Sequence, residues 1–350
     1  MHPFNGNKIY FCFLHKINGT FIYELPMHFM KGRFFFMKNM FLFSGQGSQY
    51  PMMGKELLES NPEFSYIYDT ASEILGFDLK KICFESDEQT LARTIYSQPA
   101  IMATSLLCFE TARKNGIEFC GVGGHSLGEY AAMVASGVCT LENGFKLIKA
   151  RSEAMEKASH ETDGTMAAIL KLTPQEVEGV CLDVDGYVEP VNYNSPVQTV
   201  IAGERKAVEQ ACEKFKELKA RVMPLKVSAA FHSKLMKNAA EEFFKNIQEI
   251  EFSFPKDGIH FYSNFTGDEF FEFQFMHEYL RTHIYSPVRF TNEVRNMRTA
   301  EFNTFVELGP GKVLSGLVKK ILPDSHIYNI EDNASLEKCL AGFKERGIMI

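Results

Sequence analysis

The chain lacks the spacings that mark a metal centre or a redox pair. Its eight cysteines stand at 12, 83, 108, 120, 139, 181, 212 and 339. No two form C-x-x-C, and no His-x-x-x-His pair accompanies them. Scattered cysteines in a chain of this size are expected to be small core residues in a reducing cytoplasm. A membrane-length apolar run is also missing. The uncharged stretch Thr94–Phe109 is interrupted by Ser97, Gln98, Pro99, Thr104 and Ser105, so no membrane span is expected. There is no basic excess: 37 Lys and Arg stand against 44 Asp and Glu, a net charge of −7. That balance argues against a general nucleic-acid binder. It leaves small anions open, since one buried Arg can hold one. No internal repeat is visible. What remains is an ordinary globular composition, 45% hydrophobic and 23% charged over 350 residues. Such a chain can bury a core and is not disordered. Its length suits two units, or one large unit with an insert.

Residues 1–39 differ from the rest. They hold five basic residues, a single acid (Glu24) and many Phe without a clear period. Lys8, Lys16, Lys31, Arg33 and Lys38 interrupt every apolar run, which excludes an ordinary secretory signal. The segment reads as a poorly ordered extension, with a targeting leader as the other reading.

From Met40 the pattern is regular. Met40–Phe43 is a short apolar strand running into the glycine-punctuated loop Ser44-Gly45-Gln46-Gly47-Ser48-Gln49. Helical patterns follow near 52–60, 62–75, 78–83 and 88–114. Ile117–Gly123 is a second buried strand, ending at Gly124-His125-Ser126-Leu127-Gly128, with an Ala-rich helix to Ser136. Strand, tight turn and helix in that order predict a parallel α/β sheet. Thr140 is a candidate N-cap for a helix over Leu141–Ser159. Residues 164–227 read as a βαββαβ unit, the order of a ferredoxin-like module. Its strands are Met166–Lys171, Tyr187–Tyr193, Thr199–Ala202 and Arg221–Val227. Its helices are Thr173–Cys181 and Glu204–Leu218. The α/β pattern then resumes, with strands Ile259–Ser263 and Thr304–Leu308 and a helix from Lys312. The expected division is 40–163 plus 228–350 as one α/β domain, with 164–227 inserted.

The G-x-S-x-G segment carries the first chemical signal. Glycines on both sides of Ser126 let the chain turn sharply and lift the hydroxyl clear, at the positive end of the next helix. The Leu127 amide then faces any oxyanion formed on a substrate carbonyl. The bland reading is a glycine turn with a capping Ser. A Ser nucleophile needs a base. Among ten His, His232 stands out, because a chain returning from an insert crosses the cleft where sites concentrate. His125 adjoins Ser126 but is expected to point away from it. Arg151 shares a helix face with Leu147, Ile148 and Met155. Either its fork meets a carboxylate, or its stem packs and its head reaches water. The Gly45-Gln46-Gly47 loop can cradle an anion with backbone N–H groups. It lacks the Lys-Ser/Thr of a P-loop, so nucleotide binding is not read.

These residues resemble malonyl-CoA:acyl carrier protein transacylases and, more broadly, the acyltransferase domains of fatty-acid and polyketide synthases. Seven motifs match in order: Gly45-Gln46-Gly47-Ser48-Gln49, Gly124–Glu129, Arg151, Asn192-Tyr193-Asn194-Ser195-Pro196, Phe231-His232-Ser233, Ser286-Pro287-Val288 and Glu307-Leu308-Gly309-Pro310-Gly311. The resemblance implies an α/β-hydrolase-like domain with a ferredoxin-like insert. It implies ping-pong transfer of malonyl from CoA to Ser126 and on to the phosphopantetheine thiol of acyl carrier protein, with no bound cofactor. By the same resemblance His232 is base and acid, and the amides of Gln46 and Leu127 form an oxyanion hole. Arg151 grips the malonate carboxylate, Asn194 supports the site and Phe231 crowds 2-methyl groups. Met52 stands where the family usually has Gly. His283 stands where it usually has Gln, a residue that orients the base through its backbone carbonyl. A monomer is expected. Lys226, Lys234, Lys237, Lys312, Lys319 and Lys320 are either cations for an acidic carrier protein or simply solvated. A serine esterase is the main alternative. It lacks support from an HGGG motif, and Arg151 favours an acyl group bearing a carboxylate. A polyketide-type acyltransferase with another extender unit and a non-catalytic carrier-binding module complete the alternatives.

Overall fold

The described residues of the computed structural model are 13–17, 20–24, 38–225, 227 and 229–347. The expected poorly ordered extension, 1–39, falls mostly outside them. Within it, β1 (Phe13–Ile17) and β2 (Thr20–Glu24) pair as an antiparallel hairpin.

The main sheet begins at β3 (Asn39–Phe43), whose five residues are all buried. Its neighbours are β4 (Gly121–Gly124) and β11 (Thr304–Leu308), both parallel to it. A central parallel strand is covered on both faces, which is why Met40-Phe41-Leu42-Phe43 is apolar throughout. Phe41 and Phe43 enter the larger core, while Met40 and Leu42 enter a second core on the other face. The outer strands are β9 (His260–Ser263) with the short antiparallel β10 (Asp268–Glu269) on one side, and β12 (His326–Ile330) on the other. The expected second strand is shorter than Ile117–Gly123, since pairing starts only at Gly121.

The second sheet runs in the order β6 (Val188–Ser195), β7 (Gln198–Glu204), β5 (Gly164–Leu170), β8 (Arg221–Pro224), all antiparallel. With the helices Pro174–Leu182 and Arg205–Glu217 this is the ferredoxin-like arrangement. The last strand is bounded at Pro224 rather than Val227, although the Leu225 N–H still donates to Met166 O at 3.0 Å. Gly164 passes so close to the returning chain that a Cβ there would lie 2.8 Å from the Ala230 amide N. The insert therefore leaves and rejoins at adjacent points. Both sheets belong to one compact unit, joined where Val288 pairs with β6 through Tyr193 N–H to Val288 O (2.8 Å) and Val288 N–H to Val191 O (2.8 Å).

Candidate active site

Gly124–Gly128 forms the turn between β4 and the helix Gly128–Ser136. Its glycines serve a different purpose from the one expected. The left-handed residue is Ser126 itself, at φ 53°. Gly124 and Gly128 instead permit close packing. A Cβ on Gly128 would lie 2.0 Å from Phe43 O, and one on Gly124 would lie 2.3 Å from the carbonyl carbon of Gly128. Serine held in the left-handed region is strained, and such residues concentrate where geometry is functional. His232 shares that property at φ 62°.

The Ser126 hydroxyl and His232 Nε2 lie 2.6 Å apart. On the far side of the ring, Nδ1 faces the backbone oxygens of His283 and Ser286, both at 3.1 Å. Carbonyls only accept, so Nδ1 carries the proton and Nε2 is free to take one from Ser126. Burial pulls the His232 pKa down to about 3, assisted by Arg151 and His125 nearby. The His232 imidazole is therefore neutral throughout the physiological range.

Arg151 projects from the helix Leu141–Glu161, which Thr140 caps by accepting from Asn143 N–H at 3.1 Å. Its guanidinium is buried, not solvated, and Nη2 donates to Ser126 Oγ at 2.9 Å. Nε and Nη1 find no acceptor, and the group lies 5.2 Å from the Tyr130 ring centroid. Burial lowers the Arg151 pKa, with Tyr130 and Glu129 opposing.

Ser126 and His232 open onto a cavity of about 330 Å³ lined also by Gln46, His125, Asn192 and Phe231, among others, with Arg151 buried behind Ser126. Asn194 meets this wall through His125, whose Nε2 lies 2.7 Å from Asn194 Oδ1. His125 thus turns away from Ser126 as expected but still lines the cavity. The Gln46 side chain is tied to Thr94 and Gln98 (3.5 and 3.2 Å). A second hollow, of about 380 Å³, shares no residue with this one and holds neither a Ser–His pair nor a buried cation. Among the described residues no group of three or more His, Cys, Asp or Glu is placed to hold a metal.

His283 is fully buried, and neither ring nitrogen has a hydrogen-bond partner. Burial, then His232, Arg151 and His125, push its pKa well below the usual range. It is neutral, so its 3.7 Å approach to Glu129 Oε2 is no ion pair. Of the lysines around the site, Lys226 lies outside the described residues. Lys234 stands 3.8 Å over the Tyr187 ring, and Lys320 donates to Gln198 Oε1 at 3.2 Å.

Asn264 was missed by the sequence reading. It sits just past β9, and its side chain contacts the backbone on both sides of the turn, at Ser126 N and Gly124 O. Glu129 and Glu293 are also buried here. Burial pushes Glu129 up to about 8, opposed by the Asn264 N–H, Tyr279 and Arg151. Burial and then Glu129 raise Glu293 well above its ordinary value, against the Asn264 amide.

The acyl transferase domain model matches residues 40–338. The chain belongs to that family. A malonyl CoA-acyl carrier protein transacylase of Bacillus subtilis (strain 168) is 38% identical over 313 residues, covering 88% of this chain and 98% of the relative. The crystal structure of the corresponding Clostridium perfringens protein is 38% identical with a TM-score of 0.84, covering 89% of this chain and 98% of its own. A malonyl-transacylase solved in complex with its type II polyketide acyl carrier protein is 33% identical with a TM-score of 0.83, covering 87% of this chain and 99% of its own. The α/β fold with a four-stranded antiparallel subdomain is the one these acyltransferases share.

Proposed function

We propose that this chain carries malonyl on Ser126 during transfer from malonyl-CoA to acyl carrier protein. The reaction is that of an [acyl-carrier-protein] S-malonyltransferase supplying fatty-acid synthesis. The observation that carries the residue assignment is the 2.6 Å Ser126–His232 contact beside a buried guanidinium with unused donors.

Ser126 Oγ attacks the thioester carbon while its proton passes to His232 Nε2. The resulting oxyanion faces the Gln46 and Leu127 amides. The C–S bond then breaks and CoA sulfur takes the proton from His232. The carrier protein's phosphopantetheine thiol reverses these steps, giving its proton to His232 and taking the malonyl group as a thioester, which frees the Ser126 hydroxyl. Arg151 holds the distal carboxylate by charge-assisted hydrogen bonds, worth about 1.5–3 kcal/mol. Phe231 narrows the pocket against a 2-methyl group, discrimination of about 1–3 kcal/mol. Asn194 fixes His125, and the His283 carbonyl fixes the base.

The 164–227 segment acts as an inserted module that contributes Asn192 to the cavity and Asn194 behind His125. Ser126 and His232 supply nucleophile and proton transfer, so no cofactor is required. A monomer is the proposed state, since Ser126, His232 and Arg151 already meet within one fold. Among the described residues the cysteines are unpaired, which supports a cytoplasmic setting, and no helix is long and apolar enough to cross a membrane. The test is intact-mass detection of the acyl-enzyme with malonyl-, acetyl- and methylmalonyl-CoA in parallel. One malonyl per chain is expected, and none on Ser126→Ala. Malonyl retained by that variant would overturn the nucleophile.

A further inference from the structure

The nucleophile is gripped from behind by a residue outside every matching motif. Asn264 Oδ1 accepts the Ser126 backbone N–H at 2.5 Å. Its Nδ2 donates to Gly124 O at 2.6 Å and to Glu293 Oε2 at 2.8 Å. Its own backbone N–H donates to Glu129 Oε1, and that carboxyl also accepts from the Tyr279 hydroxyl (3.0 and 2.8 Å to its two oxygens). All these atoms are buried.

The polarity of the contacts fixes the residue type. A backbone N–H can only donate and a backbone carbonyl can only accept. One side chain that meets both must carry an acceptor and a donor side by side, which is what a carboxamide offers. A carboxylate in its place would set oxygen against Gly124 O, and an alanine would leave both backbone groups without partners. The cluster also spans the strained position. Ser126 is held at φ 53° between Gly124 and the next helix, and strain persists only where surroundings over-determine it.

We propose that Asn264 is a positioning residue for acyl transfer, clamping the Ser126 turn so that Oγ meets His232, with Glu293 serving as the acceptor that holds the clamp. Glu293 acts through its oxygen, not its charge. Glutamine retains an oxygen there, so Glu293→Gln should function.

The proposal rests on Ser126 being the acylated residue, and the experiment separates the two. Single-turnover acylation by malonyl-CoA is followed by intact mass in full-length wild type, Asn264→Ala, Asn264→Asp, Asn264→Ser and Glu293→Gln. The fraction of chains loaded and the rate per loadable chain are read separately, with the malonyl-CoA concentration giving half-maximal rate. Misplacement of a reacting group by about 1 Å costs roughly a hundredfold. The Ala and Asp variants should therefore load nearly every chain, at least tenfold more slowly, with the half-maximal concentration little changed. Glu293→Gln should stay within about threefold of wild type, by the same positional argument. Should Ala not fold, Ser, which keeps one acceptor for the Ser126 N–H, carries the test. Folded Asn264 variants that load at the wild-type rate would overturn the proposal. So would a loss confined to the loadable fraction, or unfolding of every Asn264 variant, because each assigns Asn264 to the fold alone. A wild-type chain that takes no malonyl on Ser126 would instead strike the proposed function.

Discussion

The two sheets handle charge in opposite ways. In the inserted sheet the helix Arg205–Glu217 buries only Ala207, Val208, Ala211 and Phe215. Its charges pair at the surface, Lys214 with Asp183 and Lys216 with Glu213, both at 2.7 Å. Such exposed pairs contribute little to stability. Its left-handed residues, Lys171 and Lys219, lie on exposed turns. Around the main sheet, Arg151, Glu129, Glu293 and Glu307 are almost wholly buried, and the left-handed Ser126 and His232 are buried with them. Burying ionisable groups and holding non-glycine residues in the left-handed region both oppose folding. The insert keeps its charged side chains in water, whereas the main unit gathers buried ionisable and left-handed residues around Ser126, where acylation is proposed.

That contrast can be broken at several points. The largest effect expected is on stability, in the insert. Phe215→Ala should cost about 3–5 kcal/mol by leaving a cavity, while acylation per folded molecule stays unchanged. Chemical denaturation combined with active-site titration checks both halves. Equal damage to chemistry would show that the two regions are not separable in this way.

Arg151→Ala should come next. It should reduce acylation by malonyl-CoA relative to acetyl-CoA by about 1.5–3 kcal/mol, because only malonyl loses a carboxylate partner. Parallel kcat/KM measurements decide it, and equal losses for both acyl groups would make Arg151 structural.

His283→Gln should be milder, within about tenfold or ~1.4 kcal/mol of wild type, since the accepting atom is a backbone oxygen that any residue supplies. The pH profile sharpens this. In the proposed mechanism His232 is the neutral base, and its depressed pKa keeps it neutral as pH falls. Acylation should therefore stay level from pH 8 down to pH 5 in both proteins, where an unshifted His would lose activity around 6.5. An acid limb near 6.5 that vanishes in the Gln variant would place the imidazole in the proton path.

The smallest effect belongs to Met52. It sits at φ 70°, which explains why glycine is usual there. Its side chain is about half exposed, so little packing is lost on its removal. Met52→Gly should raise stability by about 0.5–1 kcal/mol, readable as a shifted denaturation midpoint. A fall would mean that the loop values the side chain more than the freed backbone.

Much of the fold was legible because its signals are local. Met40–Phe43 announces a covered strand by being apolar at every position, and the βαββαβ order of the insert follows from short alternating segments. Ser126 and His232 were legible through a turn motif and a return from the insert. Arg151 was narrowed to two readings by helical spacing; burial removes the solvated one, and the acceptor it meets is the Ser126 hydroxyl rather than a carboxylate. Asn264 was not legible. It follows a strand in Ser263-Asn264-Phe265 without periodicity, and its partners lie 138 and 29 residues away. The buried state of Glu129 and Glu293 was hidden for the same reason, because a carboxylate on a short helix looks solvated until the opposite layer is in place. The edge strand β12 and the helices Met276–Ile284 and Phe290–Thr299 also went unread. Each is short and mixed in polarity, and packing rather than propensity decides them.

The close pass of Gly164 beside Ala230 has a consequence for ancestry. A chain that skipped the excursion between them would need only a brief turn to reconnect, and all six strands of the main sheet would keep their order. The excursion is thus a cassette. The geometry would let such a segment be gained, lost or exchanged without rethreading the main sheet. The part of the cavity wall bearing Asn192 would travel with it, together with Asn194 behind His125, while Ser126 and His232 stay where they are.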